Sequence, residues 1–405
     1  MSTPVPSERL ASVDILRGMI VVLMTFVNYA GMVKGMPQLF RHAAANADRI
    51  TVADTVVPGF LFIVGVSIPF ALRRRLERGD GYGRVFVHIF CRTAALLFLG
   101  VWWVNRSFYS AAQTGISVQL WYLLGYLGVF LVWNTYPEAV SEKQRNLFRA
   151  LRIAGLVILA VLLAMFRGVD SAGNTVWLQT SWWGILGQIG WAYCFGAVAY
   201  VLCKGNPATL LGVLGLTLAI YIGGKHGSLD FLGKFGDFFG ISLHFGTKST
   251  CVLAGVVAGV CLAGRSLWRE VPEKCGFLLT FGLLLLISGV LLRPLHTFSK
   301  LWCTDSYVLT VSGLWCLALA FLFRLVDGGG RRWLNFFIPV GRNPLLLYFL
   351  PDLLNNLLGL FGIREWVFPL CRRGLWAGTL NILAVAFALC AITAYATRKR
   401  FILKL

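Results

Sequence analysis

Charge is scarce in this chain of 405 residues: 13% of them are Asp, Glu, Lys or Arg, and the acidic ones number only 17. A soluble domain of this length could not cover its surface with so little charge, so that class is excluded. Paired cysteine motifs are missing too. There are ten cysteines but no CxxC and no Cys/His cluster. Most, such as Cys91, Cys194, Cys261, Cys316 and Cys390, sit inside apolar runs and read as small buried hydrophobes. Neither a structural metal nor a disulfide framework is expected. His226 and His244 are too scattered to suggest metal ligands. Repeats and low-complexity tracts are absent, as is any polar stretch long enough to fold separately, so one transmembrane domain over 1–405 is expected. The opening "MSTPVPSERLASVDILRG" is not strongly basic, and no small-residue cleavage site follows it. The first apolar run is therefore expected to remain as a helix.

What fills the chain is oil. Hydrophobic residues make up 58%, and the mean hydropathy is +0.73. A bilayer core takes about 20 apolar residues per helix. Twelve segments meet that rule, near 14–35, 53–72, 85–104, 116–134, 149–166, 181–203, 207–223, 249–265, 276–295, 303–325, 333–359 and 375–397. The expected fold is all-α, a polytopic transmembrane bundle of ten to twelve helices. Trp102, Trp103, Trp182 and Trp183 stand near expected helix ends, as interfacial belts require. The net charge of +20 would suggest nucleic acid in a soluble protein. Here "RRRLERG", Arg73 to Gly79, reads as a cytoplasmic loop, and no nucleic-acid partner is expected. Placing Arg9, Arg17, the Arg73–Arg75 cluster, Arg265, Arg269 and the C-terminal Arg398, Lys399 and Arg400 inside puts both termini in the cytoplasm.

That orientation collects polar residues at the outer mouth of the first hairpin. His42 falls in the loop, Thr51 and Asp54 at the start of the second helix, and Asn28 about 9 Å below the rim marked by Lys34. Each has a plain structural reading as well. Asn28 suits a bond to a neighbouring helix, Thr51 and Asp54 suit a helix N-terminus, and His42 suits an ordinary loop. Together they offer a base or acyl acceptor, a carboxylate to fix its tautomer, and an amide for a developing oxyanion, which are the needs of acyl transfer. "KLWCTDSYVL" places Lys300, Trp302, Asp305, Ser306 and Tyr307 at the outer end of the tenth segment. "PVGRNPLLLYF" sets Arg342 and Asn343 within an apolar segment, where an arginine is costly and marks a functional candidate or a structural ion pair. Asp14 and Arg17 are spaced i, i+3 at the inner surface, and Gln188 is a further amide in an apolar run.

Read in order, "RLASVDILRGM", "FVNYAGM", "RHA", "TVADTVVPGFLFIVGVSIPFAL", "LWCTDSYVLTVSG" and "GRNPLLLYF" resemble the transmembrane N-acetyltransferases of the heparan-α-glucosaminide type and their bacterial inner-membrane relatives. The pieces run from the first to the eleventh segment, and Thr51 to Leu72 is the most specific. The resemblance implies transfer of acetyl from cytosolic acetyl-CoA to an amino sugar or glycan across the membrane. It places the family histidine on His42, its asparagine on Asn28 and its aspartate on Asp54. The acceptor-side residues fall on Trp302, Ser306, Tyr307 and Asn343. Arg17, Arg73, Gln188 and Arg342 are the candidates for holding CoA. The chain departs from the family at "HAAANADRITVAD", which is longer and lacks a tryptophan and a glycine, and at Gly187 and Gln188, where the family has glutamine and arginine. Partners implied are the sugar, the bilayer and a second copy of the chain, and the location is the bacterial inner membrane. An amino-sugar transporter and an O-acyltransferase for an envelope glycan remain open beside the N-acetyltransferase.

Overall fold

The structure, a computed structural model, describes residues 10–44, 46–264 and 267–405. Arg9 and Arg265 of the orientation argument lie outside the described residues. Among the described residues twelve long helices follow one another: α1 (Ala11–Ala30), α2 (Val56–Glu77), α3 (Tyr82–Val104), α4 (Val118–Trp133), α5 (Glu142–Met165), α6 (Gly184–Leu202), α7 (Pro207–Lys225), α8 (Ser249–Ala263), α9 (Val271–Leu292), α10 (Asp305–Leu322), α11 (Pro344–Phe361) and α12 (Leu375–Arg398). Among the described residues, eleven are long and apolar enough to cross a membrane, counting short helical extensions, while α4 has 16 residues. The protein is an all-α, multi-pass membrane protein. The only strands among the described residues are Gly168–Val169 and Thr175–Val176, which pair antiparallel.

Local chemistry sets the helix ends. Asn206 accepts from the N–H groups of Ala208 (2.9 Å) and Thr209 (3.2 Å), and Pro207 follows where a missing N–H costs nothing. Ser141 caps α5 by accepting from Gln144 N–H, so that helix begins well before the apolar run near 149. The segment expected as one helix over 333–359 is broken. A 3-10 turn Asn335–Phe337 leads into the short helix Ile338–Arg342, and α11 starts afresh at Pro344. Proline disfavours helical geometry in the residue before it, and Asn343 is accordingly non-helical. Arg342 is therefore an exposed residue on the short helix, and not an arginine inside an apolar span.

The chain divides into two compact units. The first gathers the described residues of Met1–Ile20, His42–Phe98 and Ile185–Ile338. Its centre is α8 with the π-helical turn Ser242–Lys248 before it; 89% of that span's most apolar stretch is buried. α8 meets α2 through glycine. A side chain on Gly65 would strike the Val252 carbonyl, one on Gly255 the Phe62 carbonyl, and one on Gly259 would lie 2.5 Å from the Val66 carbonyl oxygen. Lipid gives helices little hydrophobic reason to associate, so close backbone packing over small residues holds such pairs. α9 and α10 repeat the device: a Cβ on Gly313 would sit 2.6 Å from the Gly282 carbonyl oxygen.

The second unit comprises Val21–Arg41, Leu99–Gly184 and Pro339–Leu405. Aromatic rings knit it. Trp102 stacks on Trp121 with centroids 4.2 Å apart, and Trp103 stacks on Phe349 at 4.8 Å. Trp102 is fully buried, so it belongs to this core and not to an interfacial belt. Asp352 on α11 accepts from Tyr126 O–H at 2.6 Å and pairs with Arg106 at 3.3 Å. Asn343 donates to the Phe401 carbonyl at 2.8 Å and accepts from Leu403 N–H, fixing the C-terminal segment.

Candidate functional site

The start of α2 builds the site. Residues Ala53–Thr55 form one 3-10 turn leading into the helix, so Asp54 stands among its first free N–H groups. Thr51 and Asp54 cap each other reciprocally. Thr51 O–H donates to Asp54 Oδ2 at 2.8 Å, Thr51 N–H to the same oxygen at 3.3 Å, and Asp54 N–H to Thr51 Oγ1 at 3.3 Å. This is capping-box geometry, with the acid three residues after the threonine. The helix-start reading of Asp54 is thus physically real. It leaves Asp54 Oδ1 for another task, and His42 Nδ1 meets it at 3.0 Å. Ala43 N–H donates to Oδ2 at 3.2 Å.

The contrast in exposure matters chemically. The Asp54 side chain is 1% exposed and the His42 side chain 53%. A buried carboxylate is costly unless its oxygens are satisfied, and four donors meet this one. The carboxylate can only accept, so it takes the Nδ1 proton, which fixes the tautomer and makes Nε2 the basic nitrogen of the ring. Below, α10 holds the pair in place: Tyr307 O–H donates to the Asp54 carbonyl, and Trp315 Nε1–H to the Thr55 carbonyl at 2.9 Å.

A third group joins them. Lys300 Nζ lies 2.9 Å from His42 Nδ1, 3.3 Å from Nε2 and 3.9 Å from Asp54 Oδ1. Burial lowers the pKa of this ammonium, and the Asp54 carboxylate opposes that shift. The loops carrying His42 and Lys300 are clasped by Asp48. Its carboxylate accepts from Phe298 N–H at 2.8 Å and from Arg293 Nε–H at 3.0 Å. Within the second loop, His296 Nδ1 lies 2.8 Å from Asp305 Oδ1, a second imidazole–carboxylate pair that is almost wholly buried. No sequence signal pointed to this pair, and Lys300 was visible only as part of a polar helix end.

The other expected residues are distributed as follows. Asn28 is exposed on α1 and belongs to the second unit. Ser306 O–H is spent on the His296 carbonyl, Tyr307 is buried as described, and Trp302 is 64% exposed. Arg17 donates to Asp14 at 3.1 Å and to Ser67 Oγ at 2.6 Å. Arg73 bonds Glu77 at 2.8 Å and the Ala263 carbonyl at the end of α8 at 3.0 Å. It stands about 28 Å along α2 from Asp54, at 1.5 Å per residue. Gln188 is half-buried on α6. A cavity of about 540 Å³ lined by Met32, Arg364, Phe368 and Arg372 lies in the second unit and includes none of the expected residues.

Fold and site together define a multi-pass membrane protein with an imidazole held by a buried carboxylate at a helix start. The chain belongs to the family described as Domain of unknown function (DUF5009), whose profile matches residues 9–231. It is similar to the heparan-alpha-glucosaminide N-acetyltransferases of Homo sapiens, at 38% identity over 390 residues, and of Mus musculus, at 26% over 395. Those alignments cover 86% of this chain and 53% and 54% of the relatives, so the chain spans about half the length of the curated relatives it matches.

Proposed function

We propose that this protein is a membrane-embedded acyltransferase that moves acetyl from acetyl-CoA to an amino sugar or glycan. The observation that carries the reading is the bond between His42 Nδ1 and the buried Asp54 carboxylate, on a ring that is itself half exposed. The relatives' name, an N-acetyltransferase, supports the same chemistry. In direct transfer, the amine nitrogen attacks the thioester carbon, His42 Nε2 takes the amine proton, the C–S bond breaks, and the proton passes to the departing thiolate. In the two-step version Nε2 attacks the thioester carbon, the C–S bond breaks and CoA leaves as thiolate; the amine then attacks the acetyl carbon, the bond to Nε2 breaks, and the proton the amine loses neutralises the thiolate. Asp54 stabilises the positive ring in either case. Acetyl-CoA enters as co-substrate from the cytoplasmic side, with both chain termini on that side in a bacterial inner membrane. Arg17 and Arg73 of the first unit offer cations for its phosphates, with Gln188 as a further contact there, and Arg342 is a separate candidate in the second unit. Trp302, Ser306 and Tyr307 remain the candidates on the acceptor side in the first unit, and Asn28 is a separate candidate in the second, whereas Asn343, bonded to the C-terminal segment, belongs to the cytoplasmic side. The whole chain acts as one transmembrane acyltransferase domain, alone or as a homodimer.

The test is acetyl transfer from radiolabelled acetyl-CoA to glucosamine by the protein in nanodiscs. Transfer by the parent, and its loss in His42→Ala at unchanged melting temperature, is the expected result. A His42→Ala protein as active as the parent eliminates the histidine mechanism. One observation favours transport as a second reading. The helical run entering α8 is broken at Gly246, whose φ and ψ are −86° and −111°, and broken helices are typical of transporter binding sites. Sugar accumulation in proteoliposomes without CoA would select it.

A further inference from the structure

We propose that Lys300 is a further catalytic residue of this site, stabilising the oxyanion that forms at the thioester, and that the buried His296–Asp305 pair is its positioning device. The inference rests on the acyltransferase reading above and concerns residues that reading does not use.

The geometry runs from the ring outward. His42 Nδ1 has one in-plane bonding direction, and Asp54 occupies it. The Lys300 ammonium lies beside the ring, 2.9 Å from Nδ1 and 3.3 Å from Nε2, and so borders the space beyond Nε2. That space is where an acyl carbon must arrive. When Nε2 bonds the acyl carbon, or takes the proton of an amine that does, the C=O electron pair moves onto oxygen. The oxyanion then lies within reach of the same ammonium. When the pair returns, the C–S bond breaks and CoA leaves as thiolate, which takes up the proton the amine loses on acylation. Charge develops on the oxygen only in the transition state, so a cation placed beforehand raises kcat more than it changes KM.

Lys300 has a long, flexible side chain, and its loop must be held for it to serve. His296 and Asp305 are the two ends of that loop, and their bond closes it with Lys300 near the apex. Both are buried. Thr304 O–H tightens the turn by donating to the Thr297 carbonyl at 2.8 Å, and Asp48 fastens the loop to the one bearing His42. The pair touches none of the reacting atoms and acts through Lys300.

The experiment measures kcat and KM for acetyl-CoA, with melting temperatures, in K300M, K300Q, K300R, H296A, H296N and the H296A/K300M double variant. K300M is expected to lower kcat on the order of 10²-fold, as loss of one preorganised donor does, at unchanged KM. K300Q, which keeps length but not charge, should resemble it, and K300R should retain most activity. H296A should lower kcat on the order of 10-fold through misplacement of Lys300. H296N, which keeps a donor toward Asp305, should restore it. In the K300M background H296A should cost nothing further, an outcome a merely structural role would not give. Lysine variants within twofold of the parent kcat, or a loss confined to KM, overturn the catalytic role of Lys300. An H296A effect of equal size in both backgrounds overturns the positioning role. A parent that transfers acetyl to no amino sugar overturns the acyltransferase reading and this inference with it.

Discussion

At the scale of single residues, the site depends on one carboxylate serving two masters. Asp54 caps the helix start through Oδ2 and orients His42 through Oδ1. Asp54→Asn separates these tasks. The amide oxygen can still accept from Thr51, but the side chain no longer enforces the Nδ1–H tautomer or stabilises a charged ring. Acetyl transfer should fall on the order of 10³-fold or more, as loss of the orienting carboxylate does in hydrolytic triads. The accompanying loss of stability should be only about 1–3 kcal/mol. Single-turnover rates beside a melting curve would show whether the two effects divide this way. Asp48 yields a pH prediction. The N–H of Phe298 is the main cause holding its carboxyl below the ordinary value of 3.8, with Arg293 adding to it. A group whose pKa is depressed by folding stabilises the fold above the unfolded value and ceases to as pH falls through the folded one. The clasp between the loops should therefore hold at neutrality and open only in acid, as pH falls through that depressed value. Amide exchange over 46–50 and 294–304 should accelerate there, and Asp48→Asn should show the same acceleration at neutral pH. The pairing of His42 with Asp54 was legible in the sequence because a hairpin brings residues twelve apart to one mouth. Lys300, 258 positions from His42, carries no such signal, since no periodicity or spacing links two loops so distant in the chain.

At the scale of elements, the helices were readable as apolar runs, and their ends were not. Ser141 and Asn206 set starts through side-chain caps, and Pro344 divides a run that hydropathy alone leaves continuous. That division explains why Arg342, expected within a span, is exposed on a separate short helix. The packing of spans was written in small residues. Gly255 and Gly259 sit four apart on α8, and each admits the backbone of α2 where a Cβ would collide with a carbonyl. Gly255→Val and Gly65→Val should each abolish a cooperative melt in detergent or lower the midpoint by many degrees, because backbone must move to accept them. Gly276→Ala on α9 is the control, with nothing near its Cβ. It should leave the midpoint unchanged or raise it, since glycine inside a helix costs roughly 0.5–1 kcal/mol relative to alanine. Equal melting of Gly65→Val and Gly276→Ala would mean that α2 and α8 do not meet as described.

At the scale of the whole molecule, the number of crossings decides what the two ends share. Among the described residues eleven helices meet the length and hydropathy for a span, and an odd number places the termini on opposite sides. The loop charges argue for the same side, and the difference rests on α4. Its 16 residues rise about 24 Å, short of a hydrocarbon core of about 30 Å. Yet its surroundings are those of a crossing helix. Gly128 on α4 faces Leu159 and the Gly155 backbone of α5, and Trp121 and Tyr122 are buried with Trp102. The bilayer can thin around a short helix at modest cost, whereas the basic residues of the Arg73–Arg75 cluster and of Arg398, Lys399 and Arg400 are far dearer to translocate. α4 should therefore count as the twelfth crossing, with both termini cytoplasmic. Reporters fused to each end, one fluorescent only in the cytoplasm and one active only outside it, would decide the matter. Two cytoplasmic ends are the expected outcome. One end on each side would make α4 a re-entrant segment and invert the charge argument for one half of the chain. The outer placement of the His42 mouth would then rest on the reporter at the N-terminus alone, because α1 and the start of α2 precede α4 in the chain.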